Sequence, residues 1–107
     1  SESQREGHRS MKMILIAYNQ ALDDEVMTAL EECRLENYTK WSGVLGKGSS
    51  SGPHLATHVW PKANNVLAVA SDDSSVEPLL QRIRKLRAEL GPEGVKAFVL
   101  PIESFTE

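Results

Sequence analysis

Two short stretches of the chain are apolar at almost every position. One is M-K-M-I-L-I-A-Y at Met11–Tyr18, and the other is V-L-A-V-A within Asn65–Ser71. A strand with one face in water alternates between apolar and polar residues, whereas a strand covered on both faces does not. We therefore expect both stretches to be strands in the middle of one sheet. The other strands would flank Asn65–Ser71, and two helices would cover it.

Apolar residues at helical spacing follow the first of these strands. Asp23, Asp24 and Glu25 fall in the first turn, where negative charge interacts favourably with the helix dipole. Asn37 tolerates a left-handed conformation and is the predicted end of the helix. The apolar stripe consists of Leu22, Val26, Leu30 and Cys33, widened by Met27.

A second amphipathic helix follows the second strand. Residues 72–75 offer several N-caps, and Gly91-Pro92 ends the pattern. Pro78 is compatible with a helix if it lies in the first turn, which is where we expect it. The apolar stripe consists of Val76, Leu79, Leu80, Ile83, Leu86 and Leu90.

Two further strands complete the set of elements. Tyr38–Leu45 mixes β-formers with polar residues, and Val95–Ile102 ends near Pro101, which favours a sheet edge. Between them, G-K-G-S-S-S-G-P at positions 46–53 predicts a loop. The order β-α-β-β-α-β predicts an α+β, ferredoxin-like domain: a four-stranded antiparallel sheet with two helices on one face.

Helices on only one face leave the second face of the sheet uncovered. The central strands are apolar on both faces, so that uncovered face exposes more apolar surface than a soluble monomer usually does. We expect the chain to oligomerise through it.

Length and composition limit the alternatives. The 107 residues fit one domain over 11–107, and residues 1–10, which include His8, have no pattern; we expect them to be disordered or introduced by cloning. The net charge of −3 argues against nucleic-acid binding, and no apolar run is long enough to insert into a membrane. The only cysteine, Cys33, suits a cytoplasmic protein. No nucleophile, base and orienting group can be assembled, so we do not expect an enzyme.

Four segments together resemble the PII signal-transduction (nitrogen regulatory) proteins. They cover nearly all of residues 11–103 in the family's order. The most distinctive is the last, in which a glycine turn and a lysine precede F-V-L-P-I-E. The segments are M-K-M-I-L-I-A-Y-N-Q-A-L-D-D-E-V-M-T-A-L, G-V-L-G-K-G, V-W-P-K-A-N-N-V-L-A-V-A and G-P-E-G-V-K-A-F-V-L-P-I-E.

The resemblance implies a homotrimer that binds an adenine nucleotide (ATP, ADP or AMP) in clefts between subunits. It also implies that the loop at 46–59 docks onto a regulated enzyme or membrane transporter. Gly46 and Gly48 are similar to the family's loop-entrance glycines, with Lys47 between them. Lys62 is similar to the lysine at the loop exit. Gly94 and Lys96 stand at the family's phosphate-contacting turn.

The chain departs from the family pattern in the parts that contact the ligand. The loop is shorter and has no tyrosine between Gly48 and Val59 that could be nucleotidylated. Ser49 and Ser50 replace the family's glutamine and arginine, and Glu93-Gly94-Val95 replaces its G-D-G. The family's C-terminal arginines are missing, which predicts altered ligand chemistry.

Two histidines give an alternative function. His54 and His58 are four residues apart, a spacing that puts both on one face of a strand or a helix. One imidazole from each subunit around a trimer axis would make a three-histidine site for a divalent metal. This alternative is a metal-responsive trimer resembling the CutA ion-tolerance group. A third alternative is a chain of the same fold whose only role is assembly with a protein partner.

Overall fold

The computed structural model describes residues 10–46 and 63–106. Strand β1 is Met11–Asn19, and a 3-10 turn, Gln20–Leu22, leads into helix α1, Asp23–Glu32. Strands β2, Thr39–Leu45, and β3, Ala63–Asp72, come next. Helix α2, Asp73–Leu90, and strand β4, Val95–Pro101, complete the domain. The predicted β-α-β-β-α-β order is confirmed.

The four strands form one antiparallel sheet in the order β2-β3-β1-β4. Strand β1 pairs with β3 on one side and with β4 on the other, so that Ile14 lies between Val69 and Val99. The two most apolar strands are therefore the central pair, as the sequence predicts. The architecture is ferredoxin-like.

The core lies between the sheet and the two helices. Alternate residues of β1 point toward the helices and are almost completely buried: Ile14, Ile16 and Tyr18. The helices contribute Val26, Ala29, Leu30, Leu79 and Ile83, and the other strands contribute Leu67, Val69 and Val95.

The opposite face of the sheet, which we call the open face, carries the other alternate residues. Leu15 is paired with Ala68 on one side and Phe98 on the other, and directly opposed residues share a face. The side chains of Trp41 and Phe98 are each 50% exposed, and Leu100 is 42% exposed. The open face includes the apolar residues Met13, Leu15, Ala17, Trp41, Val66, Ala68, Ala70, Phe98 and Leu100, together with Thr39 and Asn64, and Lys96 lies at one edge.

Helix α1 ends earlier than the predicted stop at Asn37. It ends at Glu32, and Arg34, with a φ of +60°, takes the left-handed conformation instead. The amide of Leu35 donates to the carbonyl of Leu30 at 2.9 Å, and the Leu35 side chain packs against the core. That apolar contact fixes the chain reversal before Asn37 is reached.

The expected position of Pro78 in the first turn of the second helix is also wrong. The Asp72 side chain accepts from the Ser74 amide at 3.2 Å, so α2 begins at Asp73 and Pro78 falls in its second turn. Pro78 is exposed there. Pro78 has no amide hydrogen and cannot bond the carbonyl group of Ser74, four residues earlier. Because the position is exposed, water can reach that carbonyl group instead.

Candidate functional site

The predicted ligand residues that the structure describes are Gly46, Gly94 and Lys96. Gly46 follows β2, Gly94 precedes β4, and Lys96 is the second residue of β4. Lys47, Gly48 and Lys62 lie outside the described residues, as do both predicted metal ligands, His54 and His58.

These three residues lie at the same end of the sheet but on opposite edges. Leu45 pairs with Ala63 at the start of β3, and Tyr18 near the end of β1 pairs with Val95. Because β2 and β4 are the outer strands, three strand spacings separate them, or roughly 14 Å. A phosphate group at the Gly46 amide therefore does not lie beside Lys96 of the same chain.

A side chain at Gly46 would require the Asn64 side chain to move. A Cβ atom at this position would be 2.5 Å from Nδ2 of Asn64, on the neighbouring strand. Glycine leaves the Asn64 amide in place, and no side chain of residue 46 shields its own backbone amide from an anion.

Gly94 has a packing role that the sequence did not reveal. A Cβ atom there would be 2.7 Å from Cδ1 of Leu22, and its carbonyl accepts from the Asn19 amide at 2.9 Å. The turn before β4 is thus held against the connection between β1 and α1.

Lys96 projects onto the open face. Its Nζ atom lies 5.7 Å from the centre of the Phe98 ring, a distance typical of a cation–π contact. Lys96 is exposed, and no carboxylate in 10–46 or 63–106 pairs with it. Its charge is therefore available to an anionic ligand.

A polar cluster on the helix side of the sheet lies at the same end of the molecule. Asp23 Oδ1 accepts from the Tyr18 hydroxyl at 2.5 Å and from Lys40 Nζ at 2.8 Å. Asn65 Nδ2 donates to the same oxygen at 3.3 Å. One carboxylate oxygen at the start of α1 thus connects three strands.

Asn65 extends the cluster to an irregularity in β2. Its Oδ1 accepts from Gln20 Nε2 at 3.2 Å and from the amide of Gly43 at 3.4 Å. A β-bulge lies between Trp41 and Val44, and Gly43, with a φ of +71°, provides the left-handed residue in it. Asn65 is 5% exposed, so its amide is almost fully removed from water.

The cluster favours the charged form of Asp23. The hydrogen bond from Lys40 is the main reason that the pKa of Asp23 lies below its ordinary value, and the bond from Tyr18 adds to it. Burial raises the pKa of Tyr18 well above its ordinary value, and the hydrogen bond to Asp23 contributes in the same direction. Tyr18 therefore stays protonated and acts as a donor.

Sequence reasoning missed this cluster, although a signal was present. Asn65 is two residues before Leu67 and four before Val69, so it occupies the buried face of β3. A polar residue on that face needs a partner. In the sequence, Lys40 and Asp23 look like ordinary surface charges, so neither stands out as that partner.

The described residues give no support to the metal alternative. In residues 10–46 and 63–106 no three His, Cys, Asp or Glu side chains are grouped so as to hold a metal ion. A groove of about 350 Å³ between α1 and α2 is lined mainly by charged side chains and contains none of the predicted ligand residues. None of the helices that the structure describes is long and apolar enough to cross a membrane.

Several solved structures share this fold. CPII from Thiomonas intermedia K12, bound to ADP, AMP and acetate, is 19% identical, with a TM-score of 0.68 and coverage of 92% of this chain and 91% of that one. A putative PII-like signaling protein from Thermus thermophilus is 20% identical, with a TM-score of 0.58 and 88% coverage of both chains. A functionally unknown protein from Pediococcus pentosaceus ATCC 25745 is 14% identical, with a TM-score of 0.64 and coverage of 92% and 98%.

The family comparison is independent of these structures. None of the curated proteins matches the chain. The family model for nitrogen regulatory protein P-II matches residues 11–106, which include every described strand and helix. The chain belongs to the nitrogen regulatory protein P-II family.

Proposed function

We propose that this chain is a small-molecule-sensing regulator that binds an adenine nucleotide between the subunits of a homotrimer. The observation that carries the proposal is the separation of Gly46 and Lys96 onto opposite edges of one sheet. Each chain therefore supplies two half-sites, and a complete site needs one half from each of two copies.

Two further observations support this function. The first is the apolar open face, which leaves Trp41 and Phe98 half exposed and carries Lys96 at one edge. The second is the fold shared with CPII, whose structures include one bound to ADP, AMP and bicarbonate at 22% identity and a TM-score of 0.69. ADP and AMP are therefore the first ligands to test.

The regulated partner of this chain is an enzyme or a membrane transporter, and the loop at 46–59 is the part that contacts it. Gly46 is the first residue of that loop and is itself one of the predicted ligand contacts. A nucleotide that binds the Gly46 amide would therefore change the relative stability of loop conformations, and the partner would recognise one of them. The chain itself has no catalytic role in this proposal.

A subunit-mixing experiment tests the shared site. Gly46→Val perturbs one half-site, because its branched side chain must displace the Asn64 side chain and crowds the amide of residue 46. Lys96→Ala removes the charge of the other. We expect each variant alone to bind ADP at least about tenfold more weakly than the unaltered chain. The two variants are then co-expressed and purified as mixed oligomers. Clefts that combine the Lys96 edge of the first variant with the Gly46 edge of the second contain no altered residue and should bind ADP normally. Isothermal titration calorimetry measures the fraction of sites recovered.

The controls separate the possible failures. Lys85→Ala removes an exposed lysine from α2, away from the site, and should leave ADP affinity unchanged. No heat or thermal stabilisation with ADP or AMP on the unaltered chain would refute nucleotide sensing. Binding that both variants lose and that mixing never restores would instead place the whole site within one chain.

A further inference from the structure

The polar cluster around Asp23 and Asn65 is separate from the proposed ligand contacts, which lie at the sheet edge and on the open face. It lies on the helix side, directly behind the bulge through which β2 reaches Gly46. The cluster contains the buried side chains of Asn65 and Tyr18.

The cluster connects β2 to the helix side at two points. Lys40, just before the bulge, bonds Asp23 at the first residue of α1. Gly43, inside the bulge, donates its amide to Asn65. Because Asn65 also donates to Asp23, both connections lead to one carboxylate.

The bulge determines which residues of β2 reach the open face. Trp41 is paired with Val66 and Val44 with Asn64, so two residues of β2, Ser42 and Gly43, lie opposite the single residue Asn65 of β3. The extra residue changes the alternation of side chains along β2 and brings Gly46 against Asn64. Anything that fixes the bulge therefore fixes the position of the Gly46 backbone.

We infer that Asn65 and the Lys40–Asp23 ion pair are positioning residues that fix the β2 bulge and thereby set the geometry of the Gly46 half-site. The effect on ligand affinity rests on the function proposed above, whereas the effect on the bulge does not. The cluster is preorganised, because the Asp23 carboxylate already accepts hydrogen bonds from Lys40 and Tyr18 of its own chain.

The chain provides a matched control at the opposite end of the same sheet. Lys12 of β1 pairs with Asp73, the first residue of α2, at 2.6 Å, much as Lys40 of β2 pairs with Asp23, the first residue of α1, at 2.8 Å. The two lysines are 26% and 24% exposed. Lys12→Met and Lys40→Met therefore remove equivalent ion pairs, of which only the second adjoins the bulge.

Two measurements on the full chain test the inference. The first is amide hydrogen exchange of Gly43 by NMR, with Asn65→Leu as a third variant. Exchange at Gly43 should accelerate at least about fivefold in Asn65→Leu, the equivalent of one lost hydrogen bond, and should also accelerate in Lys40→Met. It should be unchanged in Lys12→Met. The second measurement is ADP affinity, which should fall in Lys40→Met and remain unchanged in Lys12→Met.

The exchange rate of the Gly43 amide in the two lysine variants decides whether the cluster has a positioning role. Unchanged Gly43 exchange in Lys40→Met, or equal acceleration in Lys12→Met, overturns the positioning role. If Asn65→Leu does not fold, the comparison of the two lysine variants still decides, because both side chains are partly exposed. If the unaltered chain binds no ADP, the proposed function fails, and the exchange rates decide on the cluster by themselves.

Discussion

Asp23 shows how one side chain takes a structural role that its position in the sequence does not reveal. By sequence it is one of three acidic residues in the first turn of a helix, where each is expected to interact with the dipole. In the structure it differs from Asp24 and Glu25, which are exposed, because its oxygen accepts from Tyr18, Lys40 and Asn65. The difference comes from the direction in which the side chain leaves the helix.

This difference predicts a pH dependence specific to Asp23. Its pKa is lower in the folded chain than in the unfolded chain, so the folded state binds fewer protons and the charged cluster stabilises it at neutral pH. That contribution is present above the unfolded pKa of about 4 and is lost as the pH falls through the lower, folded pKa. The difference in free energy of unfolding between the unaltered chain and Asp23→Asn should therefore narrow below about pH 4.

Urea unfolding at several pH values measures this difference. Asp24→Asn removes the same charge from the neighbouring, exposed position and serves as the control. Its effect on stability should be smaller at neutral pH than that of Asp23→Asn. The prediction fails if the stability lost in Asp23→Asn is as large well below the unfolded pKa as it is at neutral pH. The charged carboxylate would then not be what stabilises the fold.

At the scale of elements, the sequence predicted what depends on hydrophobic periodicity. The unbroken apolar runs at Met11–Tyr18 and Asn65–Ser71 correctly identified the central strands, because the helices cover one face of these strands and the apolar open face is the other. The type and order of all four strands and both helices followed from the same pattern. Gly46, Gly94 and Lys96 could be selected as candidates only through the family resemblance.

Features that depend on contacts between elements could not be predicted. Helix α1 ends at Glu32 because Leu35 packs on the core, which cannot be known before the fold is known. The bulge in β2 needs a left-handed residue, which Gly43 provides. A glycine within a strand is also found where another backbone approaches closely, so Gly43 alone does not identify a bulge from the sequence. The separation of Gly46 from Lys96 required the order of the strands, which is a property of the folded sheet.

Helix α2 provides a direct test of how much a single capping residue contributes to an element. Asp72 accepts from the Ser74 amide at 3.2 Å and from the Ser74 hydroxyl at 2.6 Å. Asp72→Ala should lower the free energy of unfolding by about 1 kcal/mol, the usual effect of losing an N-cap. Asp72→Asn keeps an accepting oxygen and should cost clearly less. Denaturant unfolding of both variants measures the effect, and equal losses would show that charge, and not capping, is what matters.

At the scale of the whole molecule, the domain has one well-packed side and one exposed side. The helices bury Ile14, Ile16 and Leu67 almost completely, whereas Trp41 and Phe98 on the open face remain half exposed. An apolar sheet face of this kind is usually covered in solution. Covering it with further copies would also bring the Lys96 edge of one chain toward the Gly46 edge of another, so assembly and ligand binding would depend on the same surface.

That dependence predicts that one charge on the open face disrupts both assembly and ligand binding. Leu100 is 42% exposed on the open face, opposite Met13, and Leu90 is 46% exposed at the end of α2. Leu100→Asp and Leu90→Asp are the same substitution at similar exposure, so they differ mainly in which surface receives the charge. Burying an unpaired carboxylate between copies is costly, so Leu100→Asp should dissociate the oligomer at micromolar concentration.

Light scattering coupled to size-exclusion chromatography, followed by ADP titration, measures both effects. The unaltered chain and Leu90→Asp should elute as trimers and bind ADP, whereas Leu100→Asp should elute as a smaller species without ADP affinity. Circular dichroism should show that Leu100→Asp keeps its helices, since the core lies on the other side of the sheet. A folded monomer of Leu100→Asp with full ADP affinity would refute the shared site, because only a site within one chain survives dissociation.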